Sequence, residues 1–417
     1  MSLSNIYKKT LSLFSAELVI GASNFIVVLL LARNLGVENF GFWGLMLLII
    51  SYGEAFGRAK VDIASVFVLS EKKYSAVQII SSVNFITVIS TLLVLVIFLT
   101  LSDLIFNNLF SEFKMSATSY LPLICTIFFV QNFFFNYLYI NLALGKTTKY
   151  GLYNMARSLF FLASVVFLLS INQLNIFNLL MSLAISFFIL FVVLFLDFHL
   201  KHGFSNIPIN KLNLTLLKRG MNYYLLGLSS QINFSMILII ASQFLSAASI
   251  GIFYTAKSLS DLIYSRLAAA FSGVMYPIVS NMSGGFEKKR ELVFNVTIRV
   301  FLFFIIIYLI LFNFWEEIST LLYGSEFVDI TLIINYLGIG SIIYFSSQLL
   351  LEYLKGIGKE LYASIPHFIS IVIQLIFLDF FYGEINILKI TYIYCISFIV
   401  SSLILVIIFL TVRDDRN

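Results

Sequence analysis

The stretch LGVENFG, residues 35–41, separates two long apolar runs and indicates how the rest of the chain is built. Each of the two runs approaches or exceeds the roughly 20 apolar residues that an α-helix needs to cross a bilayer. A short polar segment with two glycines between such runs predicts a tight turn at the membrane surface. Runs of this kind recur along the whole chain, so membrane-spanning helices set the fold.

The composition agrees with a protein that lies mostly in lipid. Of the 417 residues, 60% are hydrophobic and 11% are charged, and the mean hydropathy is +1.00. The runs are continuously apolar, unlike the strands of a lipid-spanning barrel, which alternate over about 10 residues. The sequence therefore predicts an all-α integral membrane protein with twelve transmembrane helices. The predicted spans are 11–32, 41–57, 76–100, 119–142, 151–171, 177–197, 221–245, 250–276, 294–315, 331–353, 363–382 and 390–411.

The distribution of basic residues predicts the orientation of the spans. With the N-terminus in the cytoplasm, 19 of the 26 lysines and arginines fall in cytoplasmic segments, Arg58 and Lys60 among them. Only Arg33, Lys114 and Lys389 fall on the opposite side. This bias follows the positive-inside rule and predicts that both termini are cytoplasmic. It also accounts for the net charge of +5 without a nucleic-acid partner.

The second half of the chain repeats the turns of the first half. LGVENFG (35–41) recurs in outline as LSAASIG (245–251), displaced by 210 residues. The Gly-Lys of ALGKTTKY (143–150) recurs in KGIGKELY (355–362), displaced by 213 residues. With six spans between equivalent turns, the repeat is parallel, and such repeats place a substrate site near the membrane midplane. We expect two six-helix bundles, residues 1–205 and residues 206–417.

These segments resemble a known family of membrane proteins. LLLARNLGVENFGFWGLM (29–46), its weaker echo IGIFYTAKSLSDLI (250–263), YGSEF (323–327) and the two Gly-Lys turns resemble the Wzx-type O-antigen flippases. Their superfamily also holds the MATE multidrug exporters and the lipid II flippases. The resemblance implies a V-shaped, MATE-like transporter of the bacterial inner membrane. It implies that an undecaprenyl-diphosphate-linked oligosaccharide, such as an O-antigen repeat unit of lipopolysaccharide, is flipped to the periplasmic leaflet by alternating access.

Charged residues inside span 8 are the first candidates for a substrate site. On an ideal helix Lys257, Asp261, Tyr254 and Tyr264 share one polar face. A charge in mid-bilayer costs about 2.5 kcal/mol or more, so it is expected to face a hydrated cavity or a partner. One interpretation is a cavity in which Lys257 attracts the diphosphate or an acidic sugar and Asp261 tunes Lys257 or carries a proton. The other is a buried i, i+4 ion pair that fixes helix packing.

Further candidates lie in spans 1, 2 and 7, each with a structural alternative. Glu17 and Asn24 share one face of span 1 and are expected to face the cavity or to be satisfied in the core. Glu54 is four residues before Arg58, as in a structural ion pair at the inner mouth. Gln231 and Asn233 stand where many members of the resembling family carry an acidic residue in span 7. They are expected to bind sugar hydroxyls or to form interhelical hydrogen bonds.

The sequence leaves three functional hypotheses. The first is the flippase; the second is a MATE-like exporter of organic cations, which predicts an acidic cavity. The third is a membrane-integral polysaccharide polymerase or ligase, which is expected to need a larger outer loop than residues 101–118. We expect no enzyme activity, no metal and no cofactor, with H+ or Na+ as the candidate coupling ion. The expected partners are the lipid-linked oligosaccharide, the bilayer, and the polymerase and chain-length proteins of the same pathway.

Overall fold

The computed structural model describes residues 3–70, 73–113, 117–204, 210–281, 286–324, 327, 330–357 and 359–412. Fourteen α-helices and one short 3₁₀ turn form this part of the chain, with no strand in it. In order, the helices are α1 Leu3–Gly57, α2 Val61–Ser70, α3 Ala76–Thr100, α4 Ser102–Leu109, α5 Leu121–Ala143, α6 Thr147–Ser170, α7 Ile176–His202, α8 Asn210–Phe244, α9 Ala247–Asn281, α10 Phe286–Phe312, α11 Trp315–Tyr323, α12 Ile330–Gly356, α13 Glu360–Phe380 and α14 Ile387–Thr411.

Helix length and apolarity confirm the predicted all-helical membrane fold. Ten helices of the described chain are long and apolar enough to cross a membrane. The first of them, α1, contains both predicted spans 1 and 2, which meet at Gly36, where the backbone leaves the helix with φ 75°. Predicted span 8 lies in α9, which carries three charges in its middle. Large apolar side chains such as Leu93 and Val96 of α3 are more than half exposed, as expected of a surface that faces lipid.

The end of span 2 differs from the prediction. The sequence places it at residue 57, because Arg58 and Lys60 look like a cytoplasmic end. In the structure the helix breaks over residues 58–60 and resumes as α2, whose Val61, Ala64 and Val68 are fully buried. The apolar run of α2 is ten residues long, too short to be recognised alone as part of a span.

The described residues form two compact units. The first consists of Met1–Val27 and Leu45–Gln231, and the second of Val28–Gly44 and Ile232–Asn417. In the first unit α5 is the central helix and packs against α2, α3, α6 and α7. Of the apolar stretch with which each helix would cross the membrane, 61% is buried in α5 and 22% in α6.

The second unit is built on the same plan around α12. This helix packs against α9, α10, α11, α13 and α14. Of its apolar membrane-crossing stretch, 67% is buried. Because α5 and α12 contain predicted spans 4 and 10, the central helices occupy equivalent places in the sequence repeat. Parts of the repeated motifs, Ser325, Glu326 and Gly358, lie outside the described residues.

Small residues allow two segments of the second unit to touch along their backbones. A Cβ on Gly41 would lie 2.8 Å from the backbone nitrogen of Gly251, and a Cβ on Gly251 would overlap the carbonyl oxygen of Val37. The glycines of LGVENFG and LSAASIG are therefore required by close packing as well as by turns.

We expect Gly251→Ala to lower the stability of the protein by about 1–3 kcal/mol, because the obstructing atom is backbone and cannot rotate away. The apparent melting temperature in detergent, followed by size-exclusion chromatography, would show the loss. Ala248→Ser, at a half-buried position on the same helix, is the matched control and should leave it unchanged. An unchanged melting temperature for Gly251→Ala would contradict the close backbone contact.

Candidate functional site

The predicted site residues divide equally between the two units. Glu17, Asn24, Glu54, Arg58 and Gln231 lie in the first unit, and Asn233, Tyr254, Lys257, Asp261 and Tyr264 in the second. Each group is described within its own unit.

Lys257 and Asp261 of α9 form an ion pair one helical turn apart. The Lys257 side chain is 13% exposed and that of Asp261 is 26% exposed. The Lys257 ammonium also lies 5.5 Å from the ring centre of Phe234 on α8 and 5.7 Å from that of Tyr394 on α14. Three helices thus hold the cation: two aromatic faces attract it, and one carboxylate neutralises it.

The two oxygens of the Asp261 carboxylate have different surroundings. One accepts from Lys257, whereas the other, Oδ1, is buried without a hydrogen-bond partner among the described residues. A carboxylate in this state has an unused acceptor, which costs free energy until a donor arrives. The pair predicted from spacing is therefore present, and one oxygen of its carboxylate is enclosed by protein without a hydrogen-bond partner among the described residues.

The tyrosines of the same face have different surroundings. The ring of Tyr254 fits over Gly44, where a Cβ would lie 2.6 Å from its Cγ, and its centre is 5.2 Å from that of Phe40. Tyr264 is 1% exposed and packs with its ring centre 5.4 Å from that of Phe304 on α10. Tyr254 therefore contacts the segment before residue 45, whereas Tyr264 lies in the core of the second unit.

Asn233 is fully buried at a junction of three helices. Its Oδ1 accepts from Ser370 Oγ at 2.7 Å and from Gln374 Nε2 at 2.9 Å, both on α13. Gln374 also donates to Ser397 Oγ of α14 at 3.2 Å. All four side chains are uncharged, and they perform the interhelical role that the sequence offered as the alternative for Asn233.

In the first unit, Arg58 is the centre of a buried charge cluster, which we call the Arg58 triad: Glu54, Arg58 and Asp62. Its guanidinium pairs with both Glu54 and Asp62, and the side chains of Arg58 and Asp62 are 2% and 0% exposed. The second oxygen of Glu54 accepts from Gln131 Nε2 of α5 at 2.6 Å. The guanidinium carbon lies 4.3 Å from the ring centre of Phe135. The pair predicted from Glu54 and Arg58 is thus one half of a three-residue cluster.

The other predicted residues of the first unit form single links between helices. Gln231 Nε2 donates to Ser51 Oγ at 2.7 Å, and Ser158 Oγ donates to Asn24 Oδ1 at 2.8 Å. Glu17 is close enough to Tyr150 of α6 to interact with it electrostatically.

Some polar residues of the site have no clear signal in the sequence. Asp62 follows an apparent helix end in the sequence. Its pairing with Arg58 is recognised only in the structure, where α2 continues the span. His199 lies in the last turn of α7, where its Nε2 is 2.9 Å from the hydroxyl of buried Tyr137. The nearby aromatic residues Phe195 and Phe198 are the only sequence hint that this ring packs on protein.

The fold and the site define the class of the protein. Long apolar helices enclose an ion pair in each unit, Arg58 with Glu54 in the first and Lys257 with Asp261 in the second. Paired charges inside apolar helices are typical of multi-pass membrane transporters. Among the described residues no group of three or more histidine, cysteine, aspartate or glutamate side chains is placed to hold a metal ion.

Comparison with known proteins identifies the family. Residues 30–332 match the profile of the family described as polysaccharide biosynthesis protein, and the chain belongs to that family. This confirms the resemblance to polysaccharide flippases seen in the sequence. No curated protein matches the chain significantly.

Solved structures with the same fold are transporters. The lipid II flippase MurJ in an inward closed conformation superposes with a TM-score of 0.71 at 18% identity, covering 96% of this chain and 87% of MurJ. An inward-facing MATE multidrug resistance transporter of the MOP superfamily gives 0.71 at 14% identity, covering 96% of each chain. The Vibrio cholerae MATE transporter VcmN gives 0.69 at 15% identity, covering 98% and 97%. At these identities the likeness shows the fold.

Proposed function

We propose that the protein is a flippase that moves a polyprenyl-diphosphate-linked oligosaccharide from the cytoplasmic to the periplasmic leaflet of a bacterial inner membrane, with both termini in the cytoplasm. Membership of a polysaccharide biosynthesis family supports the pathway. The observation that carries the proposal is Lys257, a half-buried cation inside a bundle of apolar helices with a carboxylate beside it. A diphosphate headgroup is an anionic ligand for such a cation.

Lys257 and its neighbours suit a headgroup that must bind and then leave. The ammonium keeps donors available beyond its pair with Asp261, because a lysine has three. Asp261 moderates the attraction, so that the anion is held less tightly than by an isolated charge. Phe234 and Tyr394 offer aromatic faces beside the ammonium, on which a sugar ring can pack. We propose H+ or Na+ as the coupling ion, with Asp261 and Glu17 as the carboxylates to test.

Export of organic cations is the second candidate, since the likeness to MATE transporters is as high as the likeness to MurJ. A cation exporter needs a carboxylate that its substrate can reach, and the Asp261 side chain is 26% exposed. An observation against this candidate is that Lys257, which is paired with Asp261, would repel a cationic substrate.

A strain that lacks the gene distinguishes the two candidates. For the flippase we expect loss of surface polysaccharide and accumulation of lipid-linked repeat units on the cytoplasmic side, both restored by the wild-type gene. Susceptibility to cationic dyes and drugs is measured in the same strains and should not change. Intact polysaccharide together with increased drug susceptibility would instead establish the exporter.

A further inference from the structure

The first turns of α9, α12 and α14 surround a cleft at one end of the second unit, which we call the Asn335 cleft. Polar and apolar side chains both line it, among them Ser249, Ile252, Glu316, Thr331, Asn335 and Leu388. Its volume is about 480 Å³, within the range of about 300–1,000 Å³ that is typical of small-molecule sites. The cleft is therefore large enough to hold a small ligand.

The Asn335 cleft lies at one surface of the membrane. Its lining residues on α9, α12 and α14 all belong to the first six residues of these helices, or about 9 Å of helix length. The three helices contain predicted spans 8, 10 and 12, which enter the membrane from the periplasmic side in the proposed orientation. The cleft therefore lies where a translocated headgroup leaves the protein.

Two side chains give the cleft an acceptor and a donor. Glu316, in the first turn of α11, is exposed, and its carboxylate forms no ion pair among the described residues. Asn335 is half-buried, and its backbone carbonyl accepts from the hydroxyl of Tyr308 at 3.3 Å. The side-chain Oδ1 of Asn335 is enclosed by protein, so the Nδ2 group is the accessible end of the amide. A carboxylate that accepts and an amide that donates complement the hydroxyls of a sugar.

The rest of the lining favours a neutral sugar over an anion. Ser249 and Thr331 add hydroxyls, each of which can donate and accept. Ile252 and Leu388 form an apolar wall, on which the C–H face of a sugar ring packs. No lysine, arginine or histidine is among the described residues that line the cleft, so an anion has no cation to pair with there. The cleft thus differs in chemistry from the surroundings of Lys257.

The turn LGVENFG lines a second cleft beside the first. This cleft has a volume of about 570 Å³ and shares Ile252 with the Asn335 cleft. Glu38 and Asn39 are its polar side chains, and both are exposed. Asn39 Nδ2 donates to the carbonyl of Leu35 at 3.0 Å, which leaves its Oδ1 to accept from a ligand. Two adjacent clefts with carboxylate and amide groups match two successive rings of an oligosaccharide.

We propose that the Asn335 cleft and its neighbour bind sugar rings of the lipid-linked oligosaccharide on the periplasmic side, as the headgroup leaves the protein. This inference rests on the proposed function and adds to it a sugar-binding site in the second unit. The site holds the oligosaccharide by its hydroxyls, whereas Lys257 attracts the diphosphate.

Native mass spectrometry of the purified protein in detergent tests the site with three lipids. They are the lipid-linked repeat unit extracted from the deletion strain, undecaprenyl diphosphate without sugar, and phosphatidylethanolamine. We expect the wild type to bind the repeat unit more tightly than undecaprenyl diphosphate. Asn335→Ala and Glu316→Ala should each weaken binding of the repeat unit about tenfold and leave binding of undecaprenyl diphosphate unchanged.

Matched variants control the experiment. Glu317→Ala removes the neighbouring exposed carboxylate of α11, which does not line the cleft, and should have no effect. If Asn335→Ala does not fold, Thr331→Val removes a hydroxyl of the same cleft with little change in shape. Glu38→Ala tests the second cleft in the same way, and unchanged binding of the repeat unit would remove that cleft from the site.

The outcomes separate the inference from the proposed function. If Asn335→Ala and Glu316→Ala bind the repeat unit as tightly as the wild type, the site is refuted while the flippase stands. The same conclusion follows if the wild type binds the two undecaprenyl lipids equally. A loss of phosphatidylethanolamine binding as large as that of the repeat unit would show a phospholipid headgroup site and refute the sugar assignment. If the deletion strain keeps its polysaccharide and accumulates no lipid-linked repeat unit, the proposed function fails, and the sugar assignment with it.

Discussion

Arg58→Met is expected to lower the free energy of unfolding by about 3–5 kcal/mol, the largest stability loss of any variant considered for this protein. The Arg58 triad is buried between α1, α2 and α5, and the guanidinium is the partner of two carboxylates at once. Its removal leaves Glu54 hydrogen-bonded to Gln131 and near Lys60, and leaves Asp62, at 0% exposure, with no cation within 4 Å among the described residues. An uncompensated buried charge costs more than the ion pair itself contributes.

The matched experiment removes the carboxylates together with the arginine. In the triple variant Glu54→Gln, Arg58→Met and Asp62→Leu none of the three charges of the Arg58 triad is left unpaired, so part of the lost stability should return. Lys201→Ala removes one cation from an exposed cluster with Asp197 and should cost less than about 1 kcal/mol. Apparent melting temperatures of the four proteins in one detergent compare them. A loss for Arg58→Met no larger than that for Lys201→Ala would contradict a buried triad.

Length and hydropathy were sufficient to predict the helical membrane fold, because a helix that crosses lipid must be apolar along its whole length. The same criterion misplaced the end of span 2. In the sequence, Arg58 and Lys60 are typical of a cytoplasmic helix end, because the sequence does not show that Glu54 and Asp62 pair with Arg58 in the fold. Asp62 is four residues from Arg58, and this spacing was the available sign that the helix continues.

The candidate site was predictable only along single helices. The four-residue spacing of Lys257 and Asp261 predicts their ion pair, which the structure contains. The aromatic partners Phe234 and Tyr394 are on other helices, and no local pattern specifies which aromatic residues of a chain with 45 phenylalanines will reach a given lysine. For the same reason the partners of Asn233 on α13 and α14 required the structure.

Lys257→Ala is expected to abolish transport while the protein still folds. In the proposed flippase the Lys257 ammonium attracts the diphosphate headgroup, and without it the headgroup would face the carboxylate of Asp261 alone. Surface polysaccharide in the deletion strain, complemented at matched membrane expression, should fall at least about tenfold, corresponding to a loss of about 1.4 kcal/mol or more. Lys257→Arg, which keeps the charge, should restore a substantial part. Lys389→Ala breaks an exposed ion pair with Glu384 in the same unit and serves as the control.

The double variant Lys257→Ala with Asp261→Ala decides between the two interpretations of the pair. If the pair only fixes helix packing, removal of both charges relieves the unpaired carboxylate, and polysaccharide should recover relative to Lys257→Ala. If Lys257 binds the substrate, the double variant should be as stable as the wild type or nearly so, yet still fail to transport. Normal transport by the double variant would therefore assign the pair to packing.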